Sequence, residues 1–132
     1  MKYLLDTDIC IYFLNKNQTV IDRMKKIPAN NILISIITLA ELQFGAYNSN
    51  KIKNNLERVK FFEKSIQTIT LSPEITEEYA RIKSKLRKAG NTVDDFDILI
   101  GATAVVHDFI LVTNNEQHFS RIDKINLENW SK

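Results

Sequence analysis

Three acidic residues stand at positions that folding alone does not favour. Asp6 directly follows the apolar run Tyr3–Leu5. Glu41 falls on an apolar stripe at helical spacing, and Asp97 opens the most apolar helical segment of the chain. Two carboxylates about 4 Å apart repel by roughly 4 kcal/mol at an effective dielectric constant of about 20. Three carboxylates brought together would therefore require a cation or would take up protons, and their oxygen ligands suit Mg²⁺ or Mn²⁺.

Each of these acids also has a purely structural explanation. Asp6 could be an ordinary turn or cap residue. Glu41 could complete a capping box with Thr38 as the helix N-cap, but if Ser35 caps that helix, Glu41 is an interior residue on a core face and needs a partner there. Asp97 could simply favour a helix N-terminus, a need that the two acids just before it can also meet. Spacing along the chain does not by itself bring the three acids together.

The elements that would position these residues alternate between strands and helices. The predicted strands are Tyr3–Leu5, Ile32–Ile34, Gln67–Leu71, Ile110–Val112 and Ile125–Leu127. The predicted helices run from Thr7 to about Asn15 and over Val20–Ile27, Ile36–Tyr47, Lys51–Lys64, Pro73–Ala89 and Asp95–Asp108. This alternation favours an α/β fold with a parallel sheet covered on both faces. Ligands of such sheets bind beyond the carboxyl ends of the strands, where Asp6 stands.

Composition limits the class of protein. With 132 residues, 44% of them hydrophobic, the chain predicts one globular domain over residues 1–132 and excludes a disordered chain. A single Cys excludes an intrachain disulfide and a Cys-based zinc site. The apolar N-terminal segment is too short and too acidic for a signal peptide or a spanning helix, so we expect a cytoplasmic protein with no membrane partner.

The net charge of +2 does not by itself indicate a nucleic-acid partner, but the basic residues are concentrated in two stretches. Arg81–Lys88 contains five cations and no acid, and Lys51–Lys64 contains five cations and two acids. Either stretch could follow a phosphate backbone. The alternative is a solvated helix face.

Four segments resemble the PIN-domain ribonucleases, specifically the VapC-like toxins of bacterial toxin–antitoxin modules. They are YLLDTDICIYFL, ISIITLAELQFGA, FDILIGATAVVHDFILVTNN and EQHFSRIDKINLENW, and they span nearly the whole chain. The resemblance implies a single three-layer α/β/α domain around a central parallel sheet. It also implies that Asp6, Glu41 and Asp97 are the catalytic acids and bind Mg²⁺ or Mn²⁺.

The family's usual fourth acid falls in the segment after Val112, where this chain has amides. Asn115 therefore predicts one strong and one weak metal position, and Asn115 and Thr113 are candidates for contacts with a metal-bound water or a second metal. The resemblance further implies endonucleolytic cleavage of RNA, with tRNA a common target class. The implied partners are a small antitoxin whose C-terminal segment blocks the acidic site, and a second copy of the chain in a homodimer.

Two other classes share part of this pattern. Asp6-Thr7-Asp8 after an apolar strand is similar to the nucleophile motif of haloacid-dehalogenase-like phosphatases, with Asp6 as nucleophile and Asp8 as acid/base. That class gives Glu41 no role, and its later acidic motif should follow a strand. A receiver-like signalling domain would need an Asp and a Lys after strands that lack them here.

The remaining chemically capable side chains have simpler predicted roles. Cys10 lies within an apolar helix and is expected in the core. His118 falls in a polar loop without an evident partner, and both it and His107 are candidates for a general acid. Trp130 is expected to pack the C-terminal tail against the domain.

Overall fold

The computed structural model describes residues 1–132, and its strands and helices alternate as the sequence predicts. The strands are β1 (Tyr3–Leu5), β2 (Ile32–Ser35), β3 (Gln67–Ile69), β4 (Ile110–Val112) and β5 (Asn126–Glu128). The helices are α1 (Thr7–Leu14), α2 (Gln18–Lys25), α3 (Ile36–Tyr47), α4 (Ile52–Ser65), α5 (Pro73–Lys88), α6 (Asp95–His107) and the short α7 (Glu116–Phe119). A 3₁₀ turn at Ala29–Asn31 precedes β2. Helix α7 was not predicted, and β3 ends two residues earlier than expected.

The five strands form one parallel sheet in the order β3-β2-β1-β4-β5. Strand β1 lies at the centre, with Leu4 paired to Leu33 of β2 and to Leu111 of β4. Because all strands run in the same direction, the residues that follow β1, β2 and β4 meet at one edge of the sheet. The prediction of a parallel α/β sheet is confirmed.

Helices cover both faces of the sheet, which gives three layers. Alternate strand residues point to opposite faces, so Leu4 and Leu5 belong to different apolar clusters. The cluster around Leu5 includes side chains of α1, α2, α3 and α4, and the cluster around Leu4 includes side chains of α5 and α6. Trp130 is fully buried against Tyr3, so it packs the tail down as expected, and Cys10 is buried in the core. No helix has the length and apolarity that crossing a membrane requires.

The caps of two helices decide the surroundings of the acids. Asp6, rather than Thr7, is the N-cap of α1, because Asp6 Oδ1 accepts a hydrogen bond from the Thr7 backbone N–H at 2.8 Å. Thr7 is thus the first helical residue and its hydroxyl is available for other contacts. Ser35 caps α3 by accepting from the Thr38 N–H at 3.0 Å, which makes Glu41 an interior residue of the helix.

The stripe of helical spacing that contains Glu41, namely Ile37, Ala40, Glu41 and Phe44, was predicted to face the core, and this prediction is wrong. Ala40 is exposed and Phe44 is 69% exposed, whereas Leu39, Leu42 and Ala46 are buried. Eight of the twelve residues of α3 are apolar, so its sequence contains two interleaved stripes of helical spacing. The sheet and α4 cover only one of them.

Candidate active site

Asp6 is the first residue beyond β1 and is only 6% exposed. Its Oδ2 accepts a hydrogen bond from the Thr113 hydroxyl at 2.7 Å, and its Oδ1 accepts one from the Thr7 N–H. Burial is the main cause that raises the pKa of Asp6 to about 7, and the negative charges of Asp8 and, more weakly, Asp97 act in the same direction. The two hydrogen bonds only partly oppose this shift of the pKa. A carboxyl group that titrates near neutral pH at the edge of a parallel sheet is a candidate for chemistry.

Glu41 projects from the middle of α3 toward the start of α1. The Thr7 hydroxyl donates a hydrogen bond to Glu41 Oε1 at 2.6 Å, and Thr38 Oγ1 lies 3.1 Å from the same hydroxyl oxygen. This contact provides the partner that a half-buried carboxylate in an apolar helix needs. It also joins the residue after Asp6 to the second predicted acid, so Thr7 is a site residue that the sequence analysis did not single out.

Asp97 lies in the first turn of α6 and faces His118 of α7. Nε2 of His118 is 3.1 Å from Oδ2 of Asp97, at an angle that makes the contact electrostatic rather than a directed hydrogen bond. Burial is the main cause that raises the pKa of Asp97, and the neighbouring imidazole opposes the rise. Gly101, one turn later, packs closely against the segment after α7, because a Cβ there would lie 2.7 Å from Ile122 Cδ1. The expectation that His118 has no partner is therefore wrong.

Asp8 is a fourth carboxylate at the site. Its Oδ2 accepts a hydrogen bond from the Asn114 N–H at 3.1 Å, while its Oδ1 is buried and has no donor. Burial is the main cause that raises the pKa of Asp8, and the hydrogen bond from the Asn114 backbone N–H opposes the rise. A proton shared with Asp6 or a bound cation would satisfy the free oxygen. In the sequence, Asp8 has a predicted role only in the phosphatase alternative.

The segment after β4 contributes positioning contacts. The Thr113 hydroxyl, which donates to Asp6, also accepts a hydrogen bond from the Asn115 N–H at 2.9 Å. Toward a bound water, Thr113 can therefore act only as an acceptor. The Asn115 side chain is exposed and makes no hydrogen bond, so it is free to turn toward the acids. Asp95 does not take the place of the missing fourth acid, because the Lys83 ammonium and the Tyr79 hydroxyl both contact it.

The carboxylate oxygens at this site are the kind of ligand that a hard divalent cation prefers. No three of the acidic, His or Cys side chains converge closely enough to coordinate one ion as they stand. Coordination by Asp6, Glu41 and Asp97 together therefore requires side-chain rotation from these positions. The uncompensated charge around Asp6, the free oxygen of Asp8 and the exclusively oxygen ligands are the features that Mg²⁺ or Mn²⁺ would satisfy.

Sequence comparison matches residues 3–125 to the family described as PIN domain. The chain belongs to the PIN-domain family. Among curated proteins, this PIN-domain chain is 37% identical to the ribonuclease VapC2 of Rickettsia felis, over 100% of both chains. It is 29% identical to the tRNA(fMet)-specific endonuclease VapC of Shigella flexneri, over 99% of both chains.

Solved structures agree with this assignment. The PIN-domain chain superposes on VapBC2 of Rickettsia felis, solved bound to a promoter DNA fragment, with a TM-score of 0.92 and 36% identity, covering 98% of this chain and 99% of that chain. It superposes on DNA-bound VapBC of Salmonella typhimurium with a TM-score of 0.93 and 29% identity, covering 98% of both. The three-layer PIN-like fold is therefore confirmed, and the phosphatase alternative finds no support.

Proposed function

We propose that this PIN-domain protein is a metal-dependent endoribonuclease and the toxin of a toxin–antitoxin pair. The observation that carries the proposal is the buried Asp6, with a pKa raised to about 7, within electrostatic reach of Asp8 and Asp97. Full-length similarity to proteins named ribonuclease VapC and tRNA(fMet)-specific endonuclease VapC supports RNA, with tRNA as a candidate substrate.

The chain's own residues would hold and orient the reacting groups. Asp6, Glu41 and Asp97 are the proposed Mg²⁺ or Mn²⁺ ligands, with Asp8 beside them. When bound, such an ion lowers the pKa of a water molecule and offsets negative charge on a phosphodiester. Thr113 and the Thr7 backbone N–H hold the Asp6 carboxyl group in place. The contacts of Glu41 with Thr7 and of Asp97 with His118 keep those two carboxylates at the same edge of the sheet.

The proposed protein partner is a small antitoxin that occupies the acidic site. The similar solved structures are named as VapBC assemblies. An arginine side chain pairs with a carboxylate through two parallel hydrogen bonds, so a segment carrying one would neutralise this site directly. Expression of the chain alone should be toxic, and co-expression of the adjacent small open reading frame should relieve the toxicity. Harmless expression of an active, soluble chain would contradict the toxin assignment while leaving the nuclease assignment intact.

We also propose a homodimer, which the exposed face of α3 supports. Phe44 is 69% and Tyr47 is 64% exposed, and this face carries no Lys or Arg. In a twofold dimer the same patch meets itself, so two exposed aromatic side chains on a helix without Lys or Arg are suited to that contact.

The nuclease assignment is tested by mapping cleavage products. Purified chain is incubated with total RNA in Mg²⁺ or in EDTA, and new 5′ ends are identified by sequencing. We expect defined new ends in Mg²⁺ and none in EDTA or with the Asp97→Asn variant. Full cleavage under either of the last two conditions would refute the metal-dependent mechanism. Hydrolysis of small phosphomonoesters without RNA cleavage would restore the phosphatase alternative.

A further inference from the structure

A groove beside Glu41 runs between α1, α3 and α4. Its lining includes Ile11 and Leu14 of α1, Gly45 of α3, and Asn55 and Arg58 of α4. Because Glu41 is itself part of the lining, the groove leads directly to the acidic site. Half of its ten lining residues are hydrophobic, and its polar side chains are Asn15 after α1, Glu41 of α3, and Asn55 and Arg58 of α4.

The two basic stretches of the sequence differ in how their charges are compensated. On α5, Arg81, Lys83 and Lys85 each form an ion pair with a carboxylate. On and before α4, none of the four lysines forms an ion pair. These are Lys51, Lys53, Lys60 and Lys64. The ion pairs of α5 are exposed and contribute little to stability, but they offset much of the positive charge of α5, whereas the Lys51–Lys64 stretch, with five cations, two acids and no ion pair, keeps a net positive charge.

Arg58 lies on the groove side of α4, and Lys51, which is not itself part of the lining, stands four residues before Asn55, at the spacing that places residues on one face of a helix. Arg58 lines the groove, where its guanidinium donates hydrogen bonds to the Leu14 backbone carbonyl and to Asn55 Oδ1. A guanidinium has five N–H donors, so several remain free. Lys51 lies one turn before Asn55, whose N–H donates to the Lys51 carbonyl at 2.9 Å, and its side chain has no partner. Lys60 lies elsewhere on the helix, next to Gln43.

We infer that single-stranded RNA approaching the acids lies along this groove, with Lys51 and Arg58 contacting its phosphates. The inference rests on the proposed ribonuclease function and assigns the substrate a direction of approach. A polyanion that approaches several carboxylates is repelled, so positive charge beside the site must offset this repulsion. The wall formed by α4 is where the structure leaves such charge unpaired and next to a site residue. Arg58 and Lys51 are thus substrate-positioning residues.

The test is RNA binding measured as a function of salt concentration. A short fluorescein-labelled RNA of mixed sequence is titrated with protein carrying Asp97→Asn, which prevents cleavage. The groove pair Lys51→Gln/Arg58→Gln is compared with the control pair Lys60→Gln/Lys83→Gln, which removes the same charge elsewhere. Each lost phosphate contact lowers the slope of log affinity against log salt by about 0.7 for a single strand. We expect a decrease of about 1.4 for the groove pair and no change for the control pair.

A single variant distinguishes the loss of a phosphate contact from a folding defect. Arg58→Gln removes the contact with Leu14, whereas Lys51→Gln removes no side-chain contact and should alone decrease the slope by about 0.7. Equal slopes in the groove and control pairs would overturn the inference. The inference would also be overturned if the groove pair bound RNA as tightly as before but bound the protein encoded by the adjacent reading frame more weakly, because the groove would then belong to that partner.

Mapping RNA cleavage by the natural sequence in parallel distinguishes a failure of the proposed RNA path from a failure of the proposed ribonuclease function. If the natural chain cleaves RNA and the groove variants bind it with an unchanged salt slope, only the path of the RNA is refuted. If the natural chain neither binds nor cleaves RNA, the proposed function fails as well.

Discussion

Replacing Asp6 by Asn should stabilise the metal-free protein at alkaline pH and not at acidic pH. The pKa of Asp6 rises from 3.8 to about 7 on folding. Between these two values the folded state holds a proton that the unfolded state has released, so stability falls as the pH rises through this range. A shift of about three pKa units corresponds to about 4 kcal/mol of destabilisation above neutral pH. The Asn variant avoids this penalty.

The expected gain is smaller than the full penalty. An Asn side chain can still accept from the Thr7 N–H, but its NH₂ group cannot accept from the Thr113 hydroxyl, which costs about 1 kcal/mol. The free energy of unfolding should therefore rise by about 2–3 kcal/mol at about pH 8 and change by about 1 kcal/mol or less at about pH 5, where Asp6 is already neutral.

The assay is urea unfolding in EDTA at both pH values. The control is Asp22→Asn, an exposed position on α2 whose carboxylate contacts only Gln18. A gain from Asp6→Asn that is the same at the two pH values would refute this account of the buried carboxyl group. So would a stability of the natural sequence that rises between them while the Asp6→Asn variant stays flat.

Four further predictions concern the acids and the dimer. Asp97→Asn should lower RNA cleavage, measured by gel assay, by more than about 100-fold, and cleavage within about threefold of the natural rate would contradict this prediction. The same variant should leave the melting temperature unchanged or higher, because burial already disfavours the charged form of Asp97. Asp8→Asn should weaken Mn²⁺ binding in calorimetry, because it removes a charge next to Asp6, and unchanged affinity would place the ion elsewhere. Asn115→Asp should lower the Mg²⁺ concentration for half-maximal cleavage, since a carboxylate adds charge that an amide lacks. An unchanged metal dependence of this variant, or two equally tight metal sites in the natural sequence, would argue against the prediction. Phe44→Glu should convert the proposed dimer to a monomer in analytical ultracentrifugation, since two like charges would face each other across the twofold axis, and a persistent dimer would assign the contact to another face.

Local signals in the sequence determine much of the secondary structure. The predicted bounds of α3 and β4 are those observed. Ser35 and Pro73 start their helices through short-range geometry, and Gly90 follows α5 with a φ of 76°, which Gly adopts without strain. The alternation of these elements was enough to predict a parallel sheet, because parallel strands need helical connections.

The covered face of α3 could not be predicted in the same way. Periodicity identifies a helical face only when the other faces are polar, and α3 is apolar on almost every side. The positions of β2 and α4 decide that Leu39 and Leu42 are buried while Phe44 remains exposed. The charge of the two basic stretches could likewise be read from the sequence, but the pairing of Lys83 and Lys85 on α5 could not, since Asp95 and Asp123 reach them from other elements.

For the candidate site, the sequence by itself determined residue types and the tertiary structure decided their environment. Asp6, Glu41 and Asp97 could be selected as acids that lie where burial disfavours them. Thr113, which lies 107 residues from Asp6 in the chain, and His118 beside Asp97 are neighbours only in the folded protein. Hydrogen-bond partners and pKa values depend on burial and on the distances between charges. Burial and these distances are set by the packing of the domain and cannot be read from residue types alone.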